Sequence, residues 1–290
     1  RGLGDVYKRQ EERRKLIVGH FGDPNQDKQK IEESLTPHHY AISLSGEPTM
    51  YPKLPDLIKY LKSLETTKSI FLVTNGQEPE MIQRLADEDA LPTQLYLSTN
   101  ASDYDSFLKI NRPKYDDSWE RWNKTLEMLA GLDTRTVLRV TLIKDWNDSE
   151  KMMSGYRSIF EKSNVHFIEM KSYMHIGRST NRLEYENMVD MSDVRRLSEK
   201  IIKNSDRFEI MDESEVSRIV VLQNKKRFTE RYLSAYAQTN LRIFLMMLLY
   251  EIVYLYSLHL HRFLFPHQEQ KLDHIPNHLL QSKKKLFQVY

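Results

Sequence analysis

The stretch HYAISLSGEPTMYP, residues 39–52, joins a short apolar run to a polar turn that contains glycine and proline. Comparable apolar runs, rich in Val, Ile, Leu, Phe and Tyr, recur along the chain at 40–44, 69–73, 94–98, 137–143, 166–171 and 219–222. Short runs of this composition are typical of buried strands. The sequence therefore predicts a series of buried strands, each followed by a turn.

Segments between these runs carry apolar residues at helical spacing. Three of them are clear, at Leu54, Leu57, Ile58, Leu61 and Leu64, at Trp119, Trp122, Leu126 and Leu129, and at Val194, Leu197, Ile201 and Ile202. Alternation of strand and helix predicts an α/β fold with a parallel sheet covered by helices. An open doubly wound sheet and a partial (β/α) barrel both fit this pattern.

Local signals place some helix ends. Pro79 stands where a helix can begin. Ser192 and Asp193 can cap the helix that runs to about Lys203.

Composition excludes several classes of site. The chain has 290 residues, 40% of them hydrophobic, and a net charge of +2, which neither requires nor excludes an RNA partner. It has no cysteine, so its own side chains form no disulfide, thiolate zinc site, cysteine nucleophile or thiolate-bound iron–sulfur cluster. Its first residues are charged and carry no secretory signal, so we expect a cytoplasmic protein.

The chain divides into three parts by pattern. Residues 1–10 form a leader without an assigned role, 11–226 carry the strand–helix rhythm, and 227–290 form an apolar tail without it. Charged residues such as Arg242 and Glu251 interrupt the most apolar part, 241–265, whereas a membrane span needs about 20 predominantly apolar residues. We therefore expect no membrane partner.

Ligands of parallel α/β folds bind beyond the carboxyl ends of the strands, so the residues there are the candidates. Gly46, Glu47 and Pro48 follow the first run, and a carboxylate there could bind an amino group. Thr74 and Asn75 follow the second run. At both sites ordinary turn chemistry is the simpler explanation from the residues alone. Ser98 ends the third run and could bond a sugar, a carboxylate or a helix end.

The later strands carry charged residues on a shared face. Arg139 and Thr141 are two residues apart, with Lys144 just beyond, and a buried arginine indicates either an anionic ligand or an internal ion pair. Glu169 and Lys171 also share a face. Lys171 could form a Schiff base with a keto acid, or pair with Glu169 inside the sheet.

A polar loop follows the run at 166–171. Its residues Tyr173, His175 and Arg178 could contact phosphate or a base, although a lone histidine is more often structural than catalytic. Trp119 and Trp122 are expected in the core.

The string at 39–52 resembles the tRNA 4-demethylwyosine synthases, a radical S-adenosylmethionine (SAM) family, and especially their archaeal form. Further stretches agree in order and spacing: FLVTNG at 71–76, LPTQLYLS at 91–98, TRTVLRVTLIK at 134–144, FIEMKSYMHIGRSTNRL at 167–183 and SRIVVL at 217–222. The resemblance covers roughly residues 11–225. It is specific because the separated motifs occur in the same order.

The resemblance implies a partial (β/α) barrel and the activity of a carbon–carbon lyase that modifies tRNA. Enzymes of the family use SAM and [4Fe–4S] clusters to make a 5′-deoxyadenosyl radical. That radical acts on N1-methylguanosine at position 37 of phenylalanine tRNA, and two carbons of pyruvate complete 4-demethylwyosine on the pathway to wybutosine. The electron donor stays unassigned.

The resemblance also implies roles for individual residues. Gly46, Glu47 and Pro48 match the motif at the amino end of the SAM methionine, and Thr74 and Asn75 match the next strand end of the SAM site. Ser98 fits a position near the ribose. Arg139 and Thr141 fit positions near the SAM carboxylate or the substrate. Substrate-side candidates are Lys144, Glu169, Tyr173, His175 and Arg178, with Lys171 as the catalytic candidate.

One departure from the family pattern is large. The family binds its radical-SAM cluster through a CxxxCxxC loop upstream of the matching region, and this sequence has no cysteine. We therefore expect an N-terminally truncated fragment, without the first strand and helix of the barrel, that does not cleave SAM reductively. Two alternatives stay open: an aldolase-type barrel that uses Lys171, and a non-catalytic RNA-binding barrel.

Overall fold

The computed structural model describes residues 11–12, 14–22, 27–43, 46–203, 205–227, 229 and 233. Within them lies one seven-stranded sheet in the order β1-β2-β3-β4-β5-β7-β6. Its strands are β1 His39–Ile42, β2 Ser69–Thr74, β3 Gln94–Ser98, β4 Arg135–Leu142, β5 Phe167–Ser172, β6 Phe208–Ser214 and β7 Ile219–Asn224. Strands β1 to β5 are parallel, as the alternating pattern predicts.

Helices precede, connect and follow the parallel strands. They are α1 Lys28–Leu35, α2 Leu54–Ser63, α3 Pro79–Asp87, α4 Tyr104–Asn111, α5 Ser118–Met128, α6 Glu150–Ser163 and α7 Met191–Ile202. Short 3-10 turns lie at Pro48–Met50, Leu129–Gly131, Gly177–Asn181 and Tyr185–Asn187. Pro79 begins α3, as predicted.

The predicted cap of the last helix is wrong by two residues. Asp190, not Ser192 or Asp193, is the N-cap, and its backbone is extended with φ −74° and ψ 158°. The early start buries Met191 on the apolar face of the helix. Asp193 lies instead in the first turn, where a carboxylate is favourable near the helix N-terminus.

The final strands differ from a purely parallel sheet. Strand β7 pairs antiparallel with β5 and with β6, so a hairpin ends the sheet. The sequence pattern missed β6, because Phe208–Ser214 includes charged residues such as Glu209 and Asp212 and is mostly half-exposed. An edge strand tolerates such residues because one of its sides lacks a strand neighbour.

Apolar packing differs on the two faces of the sheet. One face, with Leu72, Leu97 and Leu138, packs against the helices in the larger core cluster, to which Trp122 belongs and against which Trp119 packs, as expected. The inner face carries a smaller apolar cluster of Phe71, Tyr96, Val137, Phe167, Ile219 and Val221. Polar side chains continue this inner face toward the carboxyl ends of the parallel strands.

Two predicted parts fall on residues that are not described. The leader, 1–10, lies outside the described residues, and so does the tail apart from Arg227, Thr229 and Leu233. Among the helices that are described, none is both long and apolar enough to span a bilayer.

Candidate functional site

The Glu47 carboxylate forms hydrogen bonds with both turns, the one that follows β1 and the one that follows β2. Its Oε1 accepts hydrogen bonds from the backbone N–H and hydroxyl of Thr49, at 3.1 and 2.6 Å, and from the hydroxyl of Thr74 at 2.7 Å. Its Oε2 accepts the backbone N–H of Asn75 at 2.8 Å. The carboxylate is buried, yet Oε2 has a second lone-pair direction that none of these bonds uses.

Residues around Glu47 shape this turn. Gly46 has φ +80°, and a Cβ built there would meet nothing within 4 Å, so the backbone borders open space. Pro48 opens the 3-10 turn Pro48–Met50, where its missing N–H costs nothing. Glu47 caps that turn through its bond to Thr49.

The turn after β2 is held mainly by backbone groups. Gly76 N–H donates to the Thr74 hydroxyl at 3.0 Å, and Gln77 N–H donates to Asn75 Oδ1 at 3.0 Å. Gly76 has φ +77°, and a Cβ there would lie 2.6 Å from Leu97 Cδ1. Thr74 and Asn75 are therefore fixed beside Glu47.

Strand register brings the remaining inner-face candidates into two rows. Ser98, Arg139 and Glu169 are neighbours across β3, β4 and β5. Thr141 and Lys171 form the next row toward the carboxyl edge. Cβ atoms of such neighbours lie about 5 Å apart, so the sheet brings together residues separated by up to 73 positions in sequence.

Arg139 and Glu169 form a buried ion pair. Arg139 Nε lies 2.8 Å from Glu169 Oε1, and Glu169 is only 1% exposed. The guanidinium also lies over the ring of Tyr96, 4.4 Å from its centroid. Arg139 therefore forms an internal ion pair, which is one of the two explanations that the sequence leaves open for it; the other is an anionic ligand. Both carboxylate oxygens of Glu169 are buried, so the nearby guanidinium of Arg139 compensates the carboxylate charge inside the sheet.

Lys171 and Lys144 differ in their surroundings. Lys171 is 9% exposed on the inner face of β5, while Lys144 is exposed just beyond β4. The backbone of Lys144 is bonded to Asn187: its N–H donates to the Asn187 carbonyl at 2.9 Å, and its own carbonyl accepts Asn187 Nδ2 at 3.1 Å. Lys144 thus marks the rim of the site, and Lys171 its interior.

Side chains of the loop after β5 form hydrogen bonds with one another. The Tyr173 hydroxyl lies 3.2 Å from His175 Nδ1 and donates to Ser179 Oγ at 3.2 Å. Tyr173 is buried, so it supports the loop, whereas Arg178 is exposed. The structure therefore places His175 and Arg178 nearer to solvent than Tyr173.

Sequence reasoning missed one polar centre of the site. Asn147 is fully buried; its Nδ2 donates to the carbonyls of Asn100 and Thr141, at 2.9 and 2.8 Å, and its Oδ1 accepts the Ile143 N–H at 2.7 Å. It fixes the ends of β3 and β4 beside Thr141. Nothing in the local pattern marks it, because an asparagine in a turn is common.

No group in the described residues suits a metal. Those residues contain no set of three or more His, Cys, Asp or Glu side chains that could hold a metal ion. The whole sequence lacks cysteine, so the thiolates that bind an iron–sulfur cluster are absent from this chain.

Two family models match the chain. Residues 10–154 match the radical SAM superfamily, and residues 162–224 match a domain described as wyosine base formation. The chain is 42% identical over 211 residues to the SAM-dependent tRNA 4-demethylwyosine synthase of Pyrococcus abyssi, covering 72% of this chain and 60% of that protein. It is 39% identical to the enzyme of the same name from Methanocaldococcus jannaschii, covering 74% of this chain and 65% of that one.

Solved structures of TYW1 also resemble this chain. A structure of TYW1 with a lysine-pyruvate adduct bound superposes with a TM-score of 0.67 at 36% identity, covering 77% of this chain and 70% of that one. A crystal structure of archaeal TYW1 gives 0.64 at 33% identity, covering 78% of this chain and 71% of that one. This chain therefore spans about 60% of the length of its first curated relatives.

Proposed function

Since this chain belongs to the radical SAM superfamily, and within it to the tRNA 4-demethylwyosine synthases, we propose that it binds SAM and tRNA for the formation of 4-demethylwyosine. The proposed substrate is N1-methylguanosine at position 37 of phenylalanine tRNA, with pyruvate as the carbon donor. The observation that carries the proposal is the polar edge built by Glu47 and by the Arg139–Glu169 row, at the end of the sheet where α/β folds bind ligands.

Glu47 and the strand ends would bind SAM. The second lone pair of Glu47 Oε2 could accept a hydrogen bond from the ammonium group of SAM. The open space at Gly46 lets that ammonium group approach the backbone. Pro48, Thr74 and Asn75 hold these two turns in place. We assign Ser98 to the ribose.

Arg139 and Thr141 would face the SAM carboxylate or the substrate. Arg139 lies on the inner face of β4 next to Glu169, and a guanidinium group binds carboxylates well through paired N–H groups. The Thr141 backbone is fixed by Asn147, which accounts for the position of its side chain.

The substrate side lies on β5 and the loops beyond it. We assign Glu169 to the substrate side because its carboxylate lies on the inner face of β5 beside Arg139. Lys144, His175 and Arg178 line the rim where RNA would approach, and Tyr173 supports their loop.

The [4Fe–4S] cluster that radical SAM enzymes use does not fit this chain, which has no thiolate to ligate it. We assign no step through a cluster to these residues. We expect the chain alone to bind SAM and, with dithionite, to release no 5′-deoxyadenosine. Release of 5′-deoxyadenosine above a protein-free control would contradict this expectation.

Substrate selectivity tests the proposed function directly. Two anticodon hairpins of phenylalanine tRNA, one with N1-methylguanosine at position 37 and one with guanosine, would be titrated against the chain with SAM present. We expect the methylated hairpin to bind more tightly. Equal affinity for both would contradict the proposal and favour a non-catalytic RNA-binding barrel.

A second candidate concerns Lys171 as a Schiff-base lysine. Lys171 is 9% exposed on the inner face of β5, and a lysine amine shielded from water can serve as a Schiff-base nucleophile. The solved TYW1 structure contains a lysine-pyruvate adduct. This chain spans 70% of that structure, and Lys171 either corresponds to the lysine of that adduct or does not.

Borohydride trapping separates these cases. The chain would be incubated with labelled pyruvate, reduced with borohydride and mapped by peptide mass spectrometry. Labelling of Lys171, lost in Lys171→Arg and retained in the exposed control Lys144→Arg, supports the assignment. Absence of label at Lys171 removes it and leaves the SAM- and tRNA-binding proposal intact.

A further inference from the structure

The 3-10 turn Tyr185–Asn187 is fixed to the carboxyl edge of the sheet. Asn187 exchanges two hydrogen bonds with the backbone of Lys144, and its Oδ1 accepts the N–H of Glu184 at 2.9 Å. These bonds attach the turn to the end of β4, beside the candidate site. The turn therefore presents its side chains in defined directions.

Tyr185 on this turn is 63% exposed, although its backbone is well anchored. Its ring lies perpendicular to that of His175, with 6.2 Å between the centroids, and the His175 ring lies 6.2 Å from that of Tyr173. Three rings thus lead from the buried end of β5 to the surface. A held but exposed aromatic ring offers a stacking face at small entropic cost, because binding immobilises little further.

Two arginines lie close to each other just before this turn in the fold: Arg182 precedes Tyr185 by three residues, and Arg112 follows α4. Arg182 donates to the carbonyls of Lys109 and Ile110 at the end of α4, at 3.4 and 3.1 Å, which brings it close to Arg112. Burial, and then the charge of Arg112, lower the pKa of Arg182. Among the described residues neither arginine forms an ion pair with a carboxylate. Adjacent unpaired guanidinium groups favour a bound anion.

Two acidic residues restrict where an anion can bind on this surface. Glu184 and Glu186 flank Tyr185 in sequence and are exposed. Their charges disfavour a phosphate next to them, so an anion would lie on the side of Arg112 and Arg182. A surface with an arginine pair and an exposed aromatic ring suits single-stranded RNA, which presents both phosphates and unstacked bases.

We propose that Arg112 and Arg182 bind a backbone phosphate of a single-stranded RNA loop and that an unpaired base of that loop stacks on Tyr185. This docking surface, defined by Arg112, Arg182 and Tyr185, would orient the loop so that its target base reaches the carboxyl ends of β4 and β5. The inference rests on the proposed tRNA function and names the residues that hold the RNA.

Fluorescence anisotropy with a labelled RNA hairpin tests the docking surface without SAM or pyruvate. Tyr185→Ala should weaken binding by about tenfold, without changing the slope of log Kd against log salt, because a neutral stacking partner is lost. Tyr185→Phe, which keeps the ring, should bind within about twofold of the unchanged chain. Tyr185 is exposed enough that neither substitution should affect folding.

Arg112→Gln should weaken binding and reduce the salt slope by about one, because one phosphate contact is lost. The matched control is Lys225→Gln, which removes one positive charge beyond β7, at the opposite end of the parallel strands. We expect its affinity and slope to equal those of the unchanged chain.

Several results would overturn the inference: no hairpin binding by the unchanged chain, Tyr185→Ala binding as well as Tyr185→Phe, or Lys225→Gln having the same effect as Arg112→Gln. A fully paired duplex bound as tightly as the hairpin would also overturn it. Failure here leaves SAM binding and pyruvate trapping as separate tests of the proposed function.

Discussion

Arg139 and Glu169 are direct neighbours on β4 and β5, with Arg139 Nε 2.8 Å from Glu169 Oε1, and they form a buried ion pair on the inner face of the sheet. Burial of a charge is costly unless a partner compensates it. The pair is therefore both a structural contact and the centre of the candidate site, because Ser98 and Lys171 lie next to it in the strand register.

Removal of one member of this pair should cost more stability than removal of a surface pair. We expect Glu169→Ala to lower the free energy of unfolding by about 3–5 kcal/mol, because Arg139 loses its buried carboxylate partner. Glu127→Ala, which breaks an exposed pair with Lys162, should cost less than about 1 kcal/mol. Urea unfolding measures both.

The double variant Arg139→Met/Glu169→Leu provides the check. Because both charges are removed, its stability should return to within about 1–2 kcal/mol of the unchanged protein. A double variant as unstable as Glu169→Ala would show that the ion pair is not the cause.

A side chain at position 76 should destabilise the protein. The φ of +77° at Gly76 disfavours any L residue, and a Cβ would lie 2.6 Å from Leu97 Cδ1 and 3.1 Å from Trp122 Cδ1. We expect Gly76→Ala to destabilise the protein by about 1–3 kcal/mol. Gly131→Ala, where a Cβ meets nothing within 4 Å, should be neutral within about 0.5 kcal/mol in the same thermal unfolding series. Equal effects of the two changes would contradict this account.

Asn147 should matter through the hydrogen bonds that it alone supplies. Asn147→Ala leaves the buried carbonyls of Asn100 and Thr141 and the N–H of Ile143 without this partner, which should cost about 2–3 kcal/mol. Asn181→Ala, at an exposed position, should change stability by less than about 0.5 kcal/mol. An Asn147→Ala protein as stable as the control would show that water replaces these bonds.

His166 should make stability depend on pH. Burial, together with the charges of Arg227 and Arg135, lowers its pKa from 6.5 to about 4, and Nδ1 accepts the Thr136 N–H at 3.1 Å. The unfolded chain therefore binds a proton at a higher pH than the folded one. The stabilising contribution is complete above pH 6.5 and is lost as the pH falls toward about 4.

Urea unfolding at several pH values, on the unchanged chain and on His166→Asn, measures this contribution. The variant should lose less stability than the unchanged chain between pH 6.5 and 4. Identical pH profiles would exclude His166 as the cause.

Local pattern predicts the parallel part of the sheet well, because buried strands need continuous apolar runs. Gln94–Ser98 is predicted with its observed bounds, and Pro79 begins its helix as expected. The edge strand Phe208–Ser214 escapes prediction, because its partly exposed residues carry charge instead of apolar side chains. The hairpin direction also depends on tertiary pairing, which periodicity does not contain.

The site could be predicted in part. Strand ends identify Glu47, Arg139 and Glu169, since carboxyl edges of parallel strands meet. Their partners could not be predicted: the choice of Arg139 for Glu169 depends on register, and the contacts of Arg182 with the end of α4 join residues 72 positions apart.

Equilibrium dialysis with labelled SAM tests the central claim, that the ends of β1 to β5 form a SAM site, most directly. The unchanged chain should bind SAM saturably, one per chain, and Glu47→Gln should weaken binding by about tenfold or more. Glu88→Gln, a surface control, should not. Thermal unfolding confirms that each variant is folded. No saturable binding, or equal binding by the folded Glu47→Gln protein, would contradict the claim.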